Sequence, residues 1–145
     1  MKTGWYNDND NIVFLVVKPL HNGNRQSLIV GAQQLATNKW NILMGVFPSN
    51  ATYNSVIHSS VWMAPTSTNK KPTAKNLFLA LEALDEIEQE IYNYANGEAA
   101  IIYVDGLDER RLRVYTKVLT KKRGYRESLI KSEYVPNMQK LYKMI

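Results

Sequence analysis

The sequence has no cysteine. That excludes disulfides, a thiol nucleophile and thiolate metal sites. Its two histidines, His21 and His58, lie far apart with no carboxylates at ligand spacing, so no metal site is expected. No apolar run is long enough to span a membrane. The first apolar stretch, Ile12 to Val17, is too short for a signal peptide and follows Asp8 and Asp10. A soluble, intracellular protein is expected. Repeats, linkers and low-complexity segments are also lacking, so residues 1–145 read as one domain. Asn50-Ala51-Thr52 matches a glycosylation sequon, a chance match without secretion.

What the sequence does hold is enough apolar side chain for a core, 45% of residues. The stretch from Ile57 to Tyr94 organises it. Ile57 to Ala64 reads as a strand ended by Pro65, followed by a polar turn from Thr66 to Lys71. Pro72 and Thr73 open a helix, where a missing N–H costs nothing. Leu77, Ala80, Leu81, Leu84, Ile87, Ile91 and Tyr94 form its apolar face. Glu82, Asp85, Glu86, Glu88 and Glu90 form the other face. Asn96-Gly97 stops it, with glycine free to take a left-handed conformation.

Met1 to Asn11 reads as a loosely held start, anchored by Trp5 and Tyr6. Ile12 to Val17 is a β-branched run, expected as a strand buried on both faces. Asn22-Gly23-Asn24 turns the chain. Ser27 to Gln34 and Trp40 to Phe47 continue an antiparallel meander, with His58 to Ala64 as its fourth strand. Ala99 to Val104 is a strand reached by a crossover, hence parallel to the strand before the long helix. Asp108 caps a second helix from Glu109 to about Lys122, with Leu112, Tyr115, Val118 and Leu119 inward and Gly124 at its end. Ser128 to Val135 and Lys140 to Ile145 form a hairpin through Pro136-Asn137. The fold class is therefore α+β: a mixed, mostly antiparallel sheet with two main helices. The expected core includes Leu77, Leu81, Leu84, Ile87, Leu112, Val118, Ile101 and Tyr103.

From Ile57 to Ile145 this order resembles the GNAT superfamily of N-acetyltransferases. The elements are a strand ending near a proline, a loop, a long helix, a strand, a shorter helix and a closing hairpin. The second helix there often begins Asn-x-x-Ala, carries a tyrosine and is followed by Gly-Phe or Gly-Tyr. Here Asp108 to Tyr115 fits, with Asp108 for Asn and Arg111 for Ala, and Gly124-Tyr125 fits the ending about five residues further along. The chain is also similar to short acetyltransferase-like proteins of tailed bacteriophages, some of them parts of the virus particle.

The resemblance implies an acetyl-CoA site and allows each position to be compared. The pyrophosphate loop of the family reads Gln/Arg-x-x-Gly-x-Gly/Ala, its backbone N–H groups approaching the phosphates at a helix N-terminus. Asn69, Lys70, Lys71, Pro72, Thr73 and Ala74 stand there, and only Ala74 fits. Pro72 replaces the central glycine and removes a donor. Lys70 and Lys71 offer point charges in partial compensation. The resemblance also puts Val61 and Met63 of the preceding strand, and Asp108, beside the cofactor. Tyr115 matches the tyrosine that often protonates the departing thiolate; it reads equally as a core residue with its hydroxyl at the rim. His58 stands where a general base would sit, or is simply packed. The family's two acceptor-side helices have no room between Lys18 and Gln26.

Net charge is +5, and Arg110 to Arg126 is strongly basic. Such a stretch meets phosphates of nucleic acid or of a cofactor, or is a solvated helix face. The expectation is a GNAT-like fold that has lost catalysis and serves as a structural or interaction module among proteins, in a host cytoplasm or a virion. The alternative is an acetyl-CoA-dependent N-acetyltransferase with a divergent loop.

Overall fold

A strand whose successive side chains are all apolar needs cover on both faces, because neighbours point opposite ways. The run at Ile12 to Val17 meets that need. In the computed structural model, which describes residues 1–20, 25–57 and 74–145, it lies in β2 (Ile12–Leu20). Phe14 and Val16 enter one core cluster, while Val13 and Leu15 enter a second on the opposite face.

The other strands are β1 (Gly4–Asn7), β3 (Gln26–Ala36), β4 (Lys39–Pro48), β5 (Ile101–Val104), β6 (Arg126–Lys131) and β7 (Gln139–Met144). They form a seven-stranded sheet in the order β1-β2-β3-β4-β5-β7-β6. Among these pairings β4–β5 is parallel and the rest are antiparallel. Three helices accompany the sheet: α1 (Tyr53–Ile57), α2 (Ala74–Ala95) and α3 (Glu109–Lys122). The α+β class and the mostly antiparallel sheet are as the periodicities imply.

The helices α2 and α3 cover one face. Leu81, Leu84, Ile87 and Ile91 of α2 join Tyr115 and Leu119 of α3 over Phe14, Val30, Trp40, Ile102 and Leu141. On the other face Val56 of α1 closes a smaller cluster with Val13, Leu15, Ile29, Leu43 and Phe47. Asn96 and Gly97 take positive φ after α2, at 50° and 90°, as a helix stop requires.

Several expectations are corrected. The N-terminal segment is not loose: β1 pairs with β2, and Trp5 packs on Phe14 and stacks on Tyr94 with ring centroids 4.9 Å apart. Ile57 ends α1 rather than starting a strand, and the remainder of the expected strand, 58–64, lies outside the described residues. Among the described strands, the parallel neighbour of β5 is β4. Tyr94 is half exposed, held at the rim by the Trp5 and Trp40 rings. Ile101 and Tyr103 are only partly buried, because Ile102 and Val104 take the core-facing positions of β5. Leu77 and Val118 are partly buried too, at the margin of the core. Glu88 does not share the solvated face of α2: it pairs with Lys143 of β7, its side chain 13% exposed.

Candidate functional site: a cleft where β4 and β5 part

The parallel pairing of β4 and β5 is short. Lys39 faces Ile101, Trp40 faces Ile102 and Asn41 faces Tyr103. Beyond Asn41, β4 pairs among the described residues with β3 alone, while β5 ends at Val104 and turns at Asp105-Gly106. Two parallel strands that part in this way leave a cleft between them. Ile42 and Met44 of β4 line it with Val104, Leu81, Leu84 and Tyr115, around about 400 Å³ of space including the mouth. An adjoining hollow, about 310 Å³ together with its opening to solvent, shares Ile42, Met44, Val104 and Tyr115 and ends against Asp105, Gly106, Leu107 and Tyr134.

Tyr115 stands where the two hollows meet. It is 7% exposed, and its hydroxyl has no hydrogen-bond partner among the described residues. A buried hydroxyl left unpaired is uncommon and calls for an explanation. Burial pushes the phenol well above its ordinary pKa; the nearby Arg111 charge opposes this and Asp108 adds to it. The group is therefore a neutral donor at any physiological pH, in an otherwise apolar wall.

The turn before α3 sets the position of Tyr115. Asp108 is the N-cap: its Oδ1 accepts from the Arg111 backbone N–H at 2.8 Å, and its Oδ2 pairs with the Arg111 guanidinium. Asp105 accepts from Ser132 Oγ at 2.6 Å and from the Glu133 N–H at 2.9 Å, which ties the β6–β7 connection to the cleft rim. Asp105 and Gly106 read in the sequence only as a turn. Their role needs Ser132 and Leu112 to be brought against them. Replacing Asp108 by alanine should destabilise by about 1 kcal/mol, the usual cost of a lost cap. Asp108→Asn should retain most of the stability, and denaturant melts of the two variants check this.

The expected site residues are distributed as follows. Tyr115 lies in the cleft. Asp108 sits one turn before it, with both oxygens engaged in the cap. Ala74 is the first residue of α2. His58, Val61, Met63, Asn69, Lys70, Lys71 and Thr73 lie outside the described residues. Ile42 and Met44 of β4, which had no expected role, line the cleft. The sequence reading missed them, since nothing in Trp40 to Phe47 marks where a partner strand will diverge.

The basic stretch is divided by the fold. Arg111 pairs with Asp108, Arg113 with Glu109 at 2.6 Å, and Arg123 with Asp85 at 2.7 Å. Arg110, Lys117, Lys121 and Lys122 stay exposed on α3, while Arg126 belongs to β6.

Beneath α3, Tyr125 is 1% exposed beside the Glu88–Lys143 pair. Burial above all, then the charges of Glu88 and Asp85, pushes its phenol far up. Tyr53 is pushed up to about 12 by desolvation and by its hydrogen bond to Asp8. A tyrosine with a raised folded pKa favours the folded state fully below its unfolded pKa of about 10, and that contribution is lost as pH rises further. Ultraviolet titration should therefore show a late class of tyrosines that ionise only as the protein unfolds in alkali. Tyr115→Phe and Tyr125→Phe should each shrink that class.

Compared with known proteins, the chain matches no protein-family model, no curated protein and no solved structure. Among the described residues, no helix is long and apolar enough to cross a membrane, and no three His, Cys, Asp or Glu side chains gather to hold a metal.

Proposed function

We propose that this chain is a GNAT-like domain that has given up acetyl transfer and acts as a structural or interaction module, of the kind carried by tailed bacteriophages. The observation that carries this reading is the directness of the first connections. β1 joins β2 through a turn in which Asp8 accepts from the Asp10 and Asn11 N–H groups, and β2 reaches β3 within the residues from Leu20 to Gln26. Neither link has room for helices that would wall an acceptor pocket. Pro72, two positions before the first residue of α2 in the sequence, adds a second argument, since it has no N–H to offer a pyrophosphate. The order of elements supports the GNAT-like part: after β4, which ends at Pro48, and the short α1, the described elements run through a long helix, a strand parallel to β4, a shorter helix and a closing hairpin. The place of action is then the host cytoplasm or the virus particle.

A second reading, an active N-acetyltransferase, draws support from Tyr115. A buried hydroxyl with no partner among the described residues, in an apolar cleft, fits the acyl end of acetyl-CoA, which would supply the activated acetyl group when bound. Tyr115 would hold its proton in reserve there, and Ile42, Met44 and Val104 would exclude water. Calorimetric titration of acetyl-CoA, together with a thiol-release assay on polyamines and basic peptides, separates the readings. The module reading expects weak or no binding and negligible turnover. Micromolar stoichiometric binding, or turnover abolished by Tyr115→Phe, would establish the enzyme instead.

A further inference from the structure

The two faces of the sheet are covered unequally. α2 and α3 take one face across most of its width. On the other, among the described residues, the cluster closed by α1 contains residues of β2, β3 and β4 but none of β5, β6 or β7. Strand alternation decides what that open part presents. Ile102, Val104 and Leu141 face the α2–α3 core. Their neighbours Ile101, Tyr103, Tyr142 and Met144 therefore face away from it.

Register lines these residues up. Asn41 of β4 stands opposite Tyr103 of β5, Tyr103 opposite Tyr142 of β7, and Tyr142 opposite Arg126 of β6. One row thus crosses four adjacent strands, with two tyrosines at its centre and an exposed arginine at its end. The next row places exposed Lys39 opposite Ile101, and Ile101 opposite Met144, which is 60% exposed. Lys39 and Arg126 make no ion pair among the described residues.

We propose that this open face of β4, β5, β7 and β6 binds single-stranded nucleic acid. Side chains directly opposite on neighbouring strands have Cβ atoms about 4.5–5.5 Å apart, so Tyr103 and Tyr142, both partly exposed, stand side by side on a rigid support. Bases stack on such surfaces with little regard to sequence, and cations beside them take the phosphates. Lys39 and Arg126 flank the tyrosines on either side, and the whole chain is cationic at +5. A duplex keeps its base faces stacked inside, so the tyrosines select for single strands. The cations of α3 have no aromatic pair among them and lie on the helical side of the sheet, which makes them an internal control. The platform lies on the opposite face from the Tyr115 cleft and does not depend on what that cleft binds.

The test is fluorescence anisotropy of a labelled short oligothymidine against the whole protein, at low and moderate salt. Wild type should bind, and more weakly as salt rises, through counterion release. The Tyr103→Ala, Tyr142→Ala double variant should lose about tenfold or more in affinity, from stacking on two bases. Tyr103→Phe with Tyr142→Phe keeps the rings and should bind within about twofold of wild type on the same account. Arg126→Glu should weaken binding, whereas Arg110→Glu with Lys117→Glu should not. If the alanine variant fails to fold by circular dichroism, the phenylalanine and Arg126→Glu variants decide. Four results would overturn the platform: no binding by wild type, duplex binding as tight as single strand, loss confined to the α3 reversal, or self-association that covers this face.

Discussion

Replacing Trp40 by alanine is expected to lower the unfolding free energy by about 3–5 kcal/mol. Trp40 is 0% exposed and is among the largest fully buried side chains. It lies on the core-facing side of β4, edge-on to Trp5 at 5.7 Å and to Tyr94 at 5.4 Å between ring centroids. Removing the indole therefore empties one side of a ring cluster drawn from β1, β4 and α2. A strand, a helix and the sheet edge cannot all close in on the void together, so little of the cavity cost is recovered. Single domains hold only about 5–15 kcal/mol in total, and the variant should sit near the limit of folding. Trp40→Phe keeps part of the contact and should lose distinctly less. Urea melts followed by far-ultraviolet circular dichroism measure both without relying on tryptophan emission. A loss under about 1 kcal/mol, far below the core-truncation range, would mean that the ring cluster carries no packing energy.

The second large effect is expected at Gly106, through space rather than volume lost. A Cβ built there would stand 2.7 Å from the Leu112 backbone nitrogen and 2.8 Å from its Cα and Cβ. The obstruction is the first turn of α3, already held by the Asp108 cap. It cannot move aside as a flexible side-chain tip would. Gly106→Ala should cost about 1–3 kcal/mol, the usual range for overpacking. It should also push α3 outward and carry Tyr115 away from Ile42 and Met44. Gly97 is the control: it has φ +90°, but a Cβ added there would meet nothing within 4 Å. Gly97→Ala should therefore cost only backbone strain, about 1 kcal/mol, and leave the Tyr115 environment unchanged. Near-ultraviolet circular dichroism and the late tyrosine titration read that difference directly.

Local pattern alone determined much of this protein. The apolar spacing from Leu77 to Ile91 specified the inward face of α2. Asp108 and Gly124 marked the two ends of α3, and the β-branched run at Ile12 to Val17 required a strand covered on both faces. These follow from periods of 3.6 and 2 and from cap chemistry, which act within a few residues of one another. Only the tertiary structure decided which strand lies beside β5. That choice turns on long-range pairing of Lys39–Asn41 with Ile101–Tyr103, and no local signal distinguishes β4 from any other apolar strand. The same pairing decided where the cleft opens, and it set Ile102 and Val104, not Ile101 and Tyr103, toward the core. A one-residue change of register inverts every side chain on a strand, so a short run such as Ala99 to Val104 supports either face until its neighbours are known. Charge followed the same rule. Arg110 to Arg126 is one basic stretch in the sequence, yet the fold gives Arg111 and Arg123 to carboxylates and leaves Arg110 and Lys117 in water. It sets Arg126 beside Tyr142 on the other side of the sheet, because an ion pair depends on which groups the backbone brings within about 4 Å, not on their order along it.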